Sequence, residues 1–473
     1  MRRLGFLTVL LLLLAACTSP PGTAATVTSS GTPSATSTTG TTSTTGTAGT
    51  GTTGTASTSG TAGTPATAST PGDSPFDPLP PGITVKDAYT SVMVQVTNPP
   101  TFPFPGSDKK FHVAYNLVLQ NASPAPATIR RLDVVDADSP DKVVATFAGK
   151  QLVDPACGFG DCNRLRALPS APVKNAVIPP QQARVLFVDF TFPSLQAAPK
   201  YVMQHLFIEG APSPVPGKVA LLDYTVTPYR ISAPGPITVS PPLRGNNWVA
   251  LNGCCEPGWP HRSTPLPLNG NLVAGQLFAI DWKRTNDRGA FYTGDKHKNT
   301  SYVDYGSPIL AVADGVVTAT LDGQQANAPG VLPANSPVLG PKLTVKNVDG
   351  NHIVLKIGDN AYAFYAHLLS GSLRVKVGDK VRRGQVIARL GNTGNANASH
   401  LHFHIMNGPS VLGSSGIPYV LDSFQYQGQI SPQQLASSDD YLTGDFFGAG
   451  RLAKPETRTE QLPSAWAIVN FPG

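Results

Sequence analysis

Short runs in which every second residue is apolar dominate the chain. Phe111, Val113, Tyr115, Leu117 and Leu119 fall on one side of one run, and Leu186, Val188, Phe190 and Phe192 on one side of another. A period of two belongs to a strand with one buried face. Similar runs at 92–96, 202–208 and 219–226 are set off by Pro, Gly or Asn. Residues 80–240 are therefore expected to form an antiparallel sandwich of immunoglobulin-like type. His112 and His205 lie in this region apart from other ligand types and read as structural or surface residues.

A Pro-rich joint, Pro236 to Leu243, leads into a second strand-rich region at 241–430, with glycine turns at Gly315, Gly350, Gly378, Gly384 and Gly391. No long helical period interrupts it, so the fold class is mainly β. Residues 431–473 read as a C-terminal tail that ends in Ala465-Trp466-Ala467-Ile468-Val469, a candidate extra strand. Gly and Pro, 46 of each, fit many short strands better than a helical bundle.

The N-terminus has a different pattern. Arg2 and Arg3 precede a run of about 11 apolar residues, too short for a comfortable membrane span. It ends in Leu14-Ala15-Ala16-Cys17, which resembles the lipobox of bacterial lipoproteins. Residues 1–16 are thus expected to be a signal peptide and Cys17 a lipidated first residue, anchoring the protein to a membrane outside the cytoplasm. Residues 17–79 are Thr, Ser, Gly and Ala with few charges, and read as a disordered tether. The formal net charge of +6 falls to about +4 without Arg2 and Arg3, too small an excess to point to nucleic acid. Cys157 and Cys162 bracket a short loop that a disulfide would close. Cys254 and Cys255 are adjacent, and neighbouring cysteines rarely bond to each other, so they are expected to be free or paired elsewhere.

The candidate chemistry lies in the histidines. In Ser399-His400-Leu401-His402-Phe403-His404-Ile405 a strand would turn three imidazoles to one face and Leu401, Phe403 and Ile405 to the core. Packing alone does not account for an all-imidazole face, but a bound cation does. Ala361-Tyr362-Ala363-Phe364-Tyr365-Ala366-His367 also alternates, and puts His367 at a strand end on the face of Tyr365. His352 reads as an ordinary strand histidine.

Tyr365-Ala366-His367-Leu368, the run Val377-Gly378-Asp379 to Gly384-Gln385, Gly391-Asn392-Thr393-Gly394 and His400-Leu401-His402-Phe403 follow in order. Together they resemble the lysostaphin-type (LytM-like) zinc endopeptidases, which cut peptides in bacterial cell walls. Ala311 to Val317 resembles that family's upstream hairpin, and the resemblance runs from Trp259 to His404. It implies a C-terminal β-rich peptidase domain of duplicated-hybrid-motif type, one Zn²⁺ per chain and peptidoglycan peptides as substrate.

The resemblance also implies roles for individual residues: His402 as a zinc ligand, and His367 and His400 as catalytic histidines that do not bind the metal. The remaining ligands of the family are a His and an Asp four residues apart. Asp281 fits the second, but Leu277 stands where the His should be. His261, twenty residues before Asp281, is the favoured substitute, because a hairpin turning at Asn269-Gly270 would fold the chain back between them. His297, flanked by lysines, and Glu256 compete with it. His404 replaces the family's usual Glu, and is expected either to support His402 or to face the groove. Tyr365 and Asn392 are possible accessories. Two rival readings are a catalytically inactive LytM-like scaffold that activates other wall hydrolases and a cupin-like site in which His400, His402 and His404 hold one ion.

Overall fold

The computed structural model describes residues 82–83, 88–154, 163–212, 219–431, 434 and 451–472. The signal peptide, Cys17, the tether and the Cys157/Cys162 loop lie outside the described residues. Among those described, no helix is long and apolar enough to cross a membrane.

The first region is a sandwich of two sheets. One has the strand Phe111–Asn121 between Val92–Val96 and Ala183–Phe192, and continues into Leu165–Ala167 and Ala171–Pro172. The other runs Val219–Arg230, Tyr201–Pro212, Ala127–Asp136 and Ser139–Ala148. The predicted inward residues Val113, Tyr115, Leu117, Leu119, Leu186 and Val188 meet Leu132, Val134, Leu206 and Ile208 in one core. Each such side chain contributes about 1.5–3 kcal/mol on leaving water. The first sheet departs from a simple sandwich on its outer face. Ala114, Asn116, Val185 and Phe187, which alternation points outward, are also buried. Ala114 belongs to the core of the second region, so that region covers this face.

The second region is built on one sheet of eleven strands. Its centre is a run of antiparallel neighbours: Gly245–Leu251, Ile280–Arg284, Leu401–Met406, Ala361–Ala366, His352–Gly358 and Gly315–Leu321. One face carries Ile280, Trp282, Ile353, Leu355, Ala363, Tyr365, Leu401, Phe403 and Ile405. A small two-stranded sheet, Pro308–Leu310 with Val386–Arg389, packs Ile309, Ile387 and Ala388 against it. The apolar half of the HLHFHI alternation therefore does what its period predicts.

The expected tail is part of this sheet. Ala467–Phe471 lies between Gly245–Leu251 and Tyr419–Gln429, and Arg451–Gln461 pairs outside it with Tyr419–Gln429. The joint joins the sheet as well, through Ile237–Val239 in parallel with Tyr419–Gln429. A buried, β-branched and aromatic run such as Ala467–Phe471 gains more as a central strand than as a solvated end.

Candidate metal and catalytic site

Strand register assembles the site. Asp281 sits opposite His402, His402 opposite Ala366 and His404 opposite Phe364. Alternation turns Asp281, His402 and His404 away from the apolar core, onto the other face of the sheet. His261 reaches the same face from a loop. The predicted hairpin forms between Leu266–Leu268 and Asn271–Val273, with positive φ at Asn269 and Gly270. Both central residues of a type I′ turn need that conformation. Leu277, at the position where the family carries its histidine, is buried in the apolar core.

His261 Nε2 lies 3.2 Å from Asp281 Oδ2, and His402 Nδ1 lies 2.9 Å from Asp281 Oδ1. Ligand atoms of His261, Asp281 and His402 all fall within 4.8 Å of one another, and all three residues are buried. Two imidazoles and one carboxylate around a common point suit a zinc-like cation that keeps an open position. His297 is exposed and Glu256 is exposed beside Asp189 and Arg164, and neither joins this cluster.

The other two histidines close the space around it. The His367 ring is 4.6 Å from that of His400 and 5.9 Å from that of His402. His400 Nε2 is 3.5 Å from Asp281 Oδ1. His367 does not share the face of Tyr365, as alternation predicts. Its φ of 61° breaks the strand at Ala366 and swings the imidazole to the site. Tyr365 stays in the core, where its hydroxyl accepts the Val312 N–H at 3.0 Å. Asn392 is also structural, since its amide donates to Asn299 Oδ1 and the Asn327 carbonyl.

Hydrogen bonds assign which nitrogen of each ring carries the proton. His261, His367 and His400 each donate Nδ1–H to a carbonyl: Ala279 at 2.9 Å, Thr393 at 2.8 Å and Ala398 at 2.9 Å. Their Nε2 atoms are left for the site. His402 points the opposite way. Its Nδ1 lies 2.9 Å from Asp281 Oδ1 and its Nε2 3.1 Å from His404 Nδ1; with an ion on Nδ1, the proton would sit on Nε2 and donate to His404. The far nitrogen of His404, Nε2, is buried without a hydrogen-bond partner. His404 thus stands behind His402, in the direction of the Phe364 ring.

Burial pushes His402 down to about 4, more than its contact with Asp281 restores, and holds His367 and His404 well below the ordinary histidine value. Burial alone would raise Asp281, but His261 and His400 with the hydrogen bonds around it hold the carboxyl well below its usual range. For His261 burial is outweighed by the Asp281 charge, and its value rises. The site is an ionised carboxylate among imidazoles, most of them neutral.

Some supporting residues were not anticipated. Asn252 Nδ2 donates to Asp281 Oδ2 at 2.8 Å. An Asn just past a strand gives no signal in the sequence. Lys283, two residues after Asp281 and on its face, donates to the Ser399 carbonyl at 2.5 Å and lies 3.6 Å from Asp304. A lysine inside an apolar strand was a readable sign. The motif glycine Gly394 has φ +72°, and a Cβ there would strike the backbone of Gly350. Cys254 and Cys255, expected to be free or paired elsewhere, are bonded to each other across a cis peptide.

The fold, the histidine cluster and the motif order together define the class. The model of peptidase family M23 matches residues 297–412, the stretch that carries most of the lysostaphin-type motifs. The match spans His367, His400 and His402 but stops short of His261 and Asp281. Among individual proteins, the chain is 31% identical over 111 residues to the peptidoglycan DD-endopeptidase ShyA of Vibrio cholerae serotype O1, covering 23% of this chain and 20% of that one. It is 31% identical over 106 residues to the glycyl-glycine endopeptidase ALE-1 of Staphylococcus capitis, covering 22% and 23%. The chain therefore spans about a fifth of the length of the curated relatives it matches. The catalytic domain of lysostaphin from Staphylococcus simulans aligns in structure at 25% identity over 32% of this chain and 80% of that one, with a TM-score of 0.18.

Proposed function

We propose that the protein is a zinc-dependent endopeptidase that hydrolyses peptide bonds in cell-wall peptidoglycan, with His261, Asp281 and His402 as the metal ligands. The convergence of three buried donor atoms within 4.8 Å of one another carries this reading. Zinc, when bound, supplies a Lewis acid that polarises a scissile carbonyl and makes water a better nucleophile at neutral pH.

The protein's own residues do the rest. His367 and His400 keep Nε2 free toward the site because Nδ1–H is committed to a carbonyl. One Nε2 accepts a proton from the attacking water and returns it to the leaving amine, while the other accepts a hydrogen bond from the same water and so aims it at the scissile carbonyl. His404 holds the ligand histidine in the tautomer that presents Nδ1. The inactive-scaffold reading expects missing donors, and the gathering of His261, Asp281 and His402 beside His367 and His400 favours the enzyme reading over it. The cupin-like reading expects His400, His402 and His404 around one ion, yet His404 turns Nδ1 to His402 instead of sharing its metal-facing side.

The decisive experiment incubates the protein with purified wall, with and without chelator, and identifies released fragments by mass. Chelator-sensitive release of new amine ends is expected. Wall binding without cleavage would return the protein to the scaffold class. The Cys17 anchor, and with it an extracytoplasmic membrane location, is part of the same proposal, and loss of metabolic lipid labelling in Cys17→Ala tests it.

A further inference from the structure

Arg262 follows His261 directly in the sequence, yet its side chain leaves the peptidase domain. The guanidinium enters the outer face of the sandwich, where Nη1 donates to Asn116 Oδ1 and Nη2 to the carbonyls of Tyr115 at 2.9 Å and Val188 at 3.2 Å. Its carbon lies 4.6 Å from the centre of the Phe187 ring, and the residue is only 2% exposed. A second arginine makes the same connection in reverse. Arg166, on a sandwich strand, donates Nη2 to the Pro257 carbonyl at 3.1 Å and sits 5.6 Å from the same Phe187 ring. The segment 257–262 is therefore tied to the sandwich at two points, and His261 is at the end of it. On its other side this segment is held by the Ala279 carbonyl on His261 and by the contact of Trp259 with Trp466.

Two features give this connection a purpose. Asp281 and His402 are fixed by neighbouring strands, whereas His261 stands on a segment without strand pairing. A buried guanidinium is also costly to take out of water, and Arg262 is almost fully enclosed. If only the domain contact mattered, an apolar side chain would fill the space against Phe187 at lower cost. Arginine offers a planar fork that engages three acceptors on two adjacent strands at once, and so sets a direction as well as a contact.

We infer that the sandwich domain completes the metal site, with Arg262 as a positioning residue that holds His261 on the metal through the strands Phe111–Asn121 and Ala183–Phe192. The inference rests on the reading of His261 as a ligand. It gives the N-terminal domain a function that its own residues do not disclose: the ligand missing at Leu277 is replaced by one whose position depends on a second domain.

The test measures zinc affinity of the full chain by competition with a chromophoric chelator. His261→Ala is expected to weaken zinc binding about 100-fold or more. Arg262→Met is expected to weaken it about 10–100-fold, as loss of a residue that orients a ligand does, and Asn116→Ala about 3–10-fold. Leu132→Ala, in the sandwich core on the far sheet, is the control for stability. It should lower the thermal midpoint yet leave zinc affinity within about twofold. Wild-type affinity in Arg262→Met, alongside loss in His261→Ala, overturns the inference and leaves the peptidase reading standing. An equal loss in Leu132→Ala also overturns it. Wild-type affinity in His261→Ala removes the ligand assignment and the inference together. If Arg262→Met does not fold, Asn116→Ala decides, and unchanged affinity there counts against the proposal.

Discussion

Asp281 and Asp349 are both buried carboxylates of the same domain, and their surroundings send them in opposite directions. Asp281 has His261, His402, His400 and Asn252 within reach, and its pKa falls well below the usual range despite burial. Asp349 is 6% exposed, and burial raises it to about 7. Asp304 stands between them. Burial raises it although Lys283 lies 3.6 Å away and the Ser399 hydroxyl donates to it. Depth in the protein is nearly the same in all three cases, so the number of partners decides the charge. A carboxylate kept ionised among imidazoles is what a divalent cation needs, and of these three only Asp281 meets that requirement.

The comparison breaks most visibly at Asp281 itself. Asp281→Ala and His402→Ala are expected to lose retained zinc and to lower kcat/KM by about 10³-fold or more, because the metal's chemistry goes with its ligands. Metal analysis of the purified variants and assay on wall fragments check this, and zinc near one per chain in Asp281→Ala would refute it. The second effect separates ligands from bases. His367→Ala and His400→Ala should keep zinc and lose about 10²–10⁴ in kcat, the usual worth of a positioned proton-transfer group. Loss of zinc in either variant would instead make that histidine a ligand.

The third effect concerns stability instead of chemistry. Lys283 is buried, donates to the Ser399 carbonyl next to His400, and lies over the rings of Phe291 and Tyr302. Lys283→Met leaves Asp304 without its cation. Breaking a buried pair from one side costs about 3–5 kcal/mol, and a denaturant midpoint measures it. If Lys283→Met unfolds at the wild-type midpoint, Asp304 is already neutral and the ordering of the three carboxylates collapses.

Much of this was legible because period and motif agree. The two faces of HLHFHI, the Asn269-Gly270 hairpin and Asp281 in an apolar strand all follow from local chemistry. His261 was readable only through the hairpin that returns the chain, since the residue sits in a segment with no pattern of its own. The position of His367 was misread because alternation holds only while φ stays extended, and nothing in Tyr365-Ala366-His367 announces the left-handed residue. The second burial of Ala114, Asn116 and Phe187 was also out of reach. Alternation describes one sheet, and the covering of its outer face depends on where another domain lands.

The smallest expected effect belongs to Asp349, and its sign is opposite to that of a paired carboxylate. The native value of about 7 lies above the ordinary 3.8. Below about pH 4 both folded and unfolded chains hold the proton, and Asp349 costs nothing. As pH rises from about 4 to 7 the unfolded chain releases the proton while the folded one keeps it, so stability falls across that window. Above 7 both are ionised and the loss stays constant, at most about 4 kcal/mol for a shift of some three units. Asp349→Asn removes the titration. The variant should gain on the wild type by a few kcal/mol at pH 8 relative to pH 4.5, read as the difference between their urea midpoints at the two pH values. Because the Asp349 carbonyl also accepts the His367 N–H at 3.1 Å, the substitution leaves that backbone contact in place. A difference that does not change with pH would mean that Asp349 finds a partner in solution, and the contrast with Asp281 would then be one of degree.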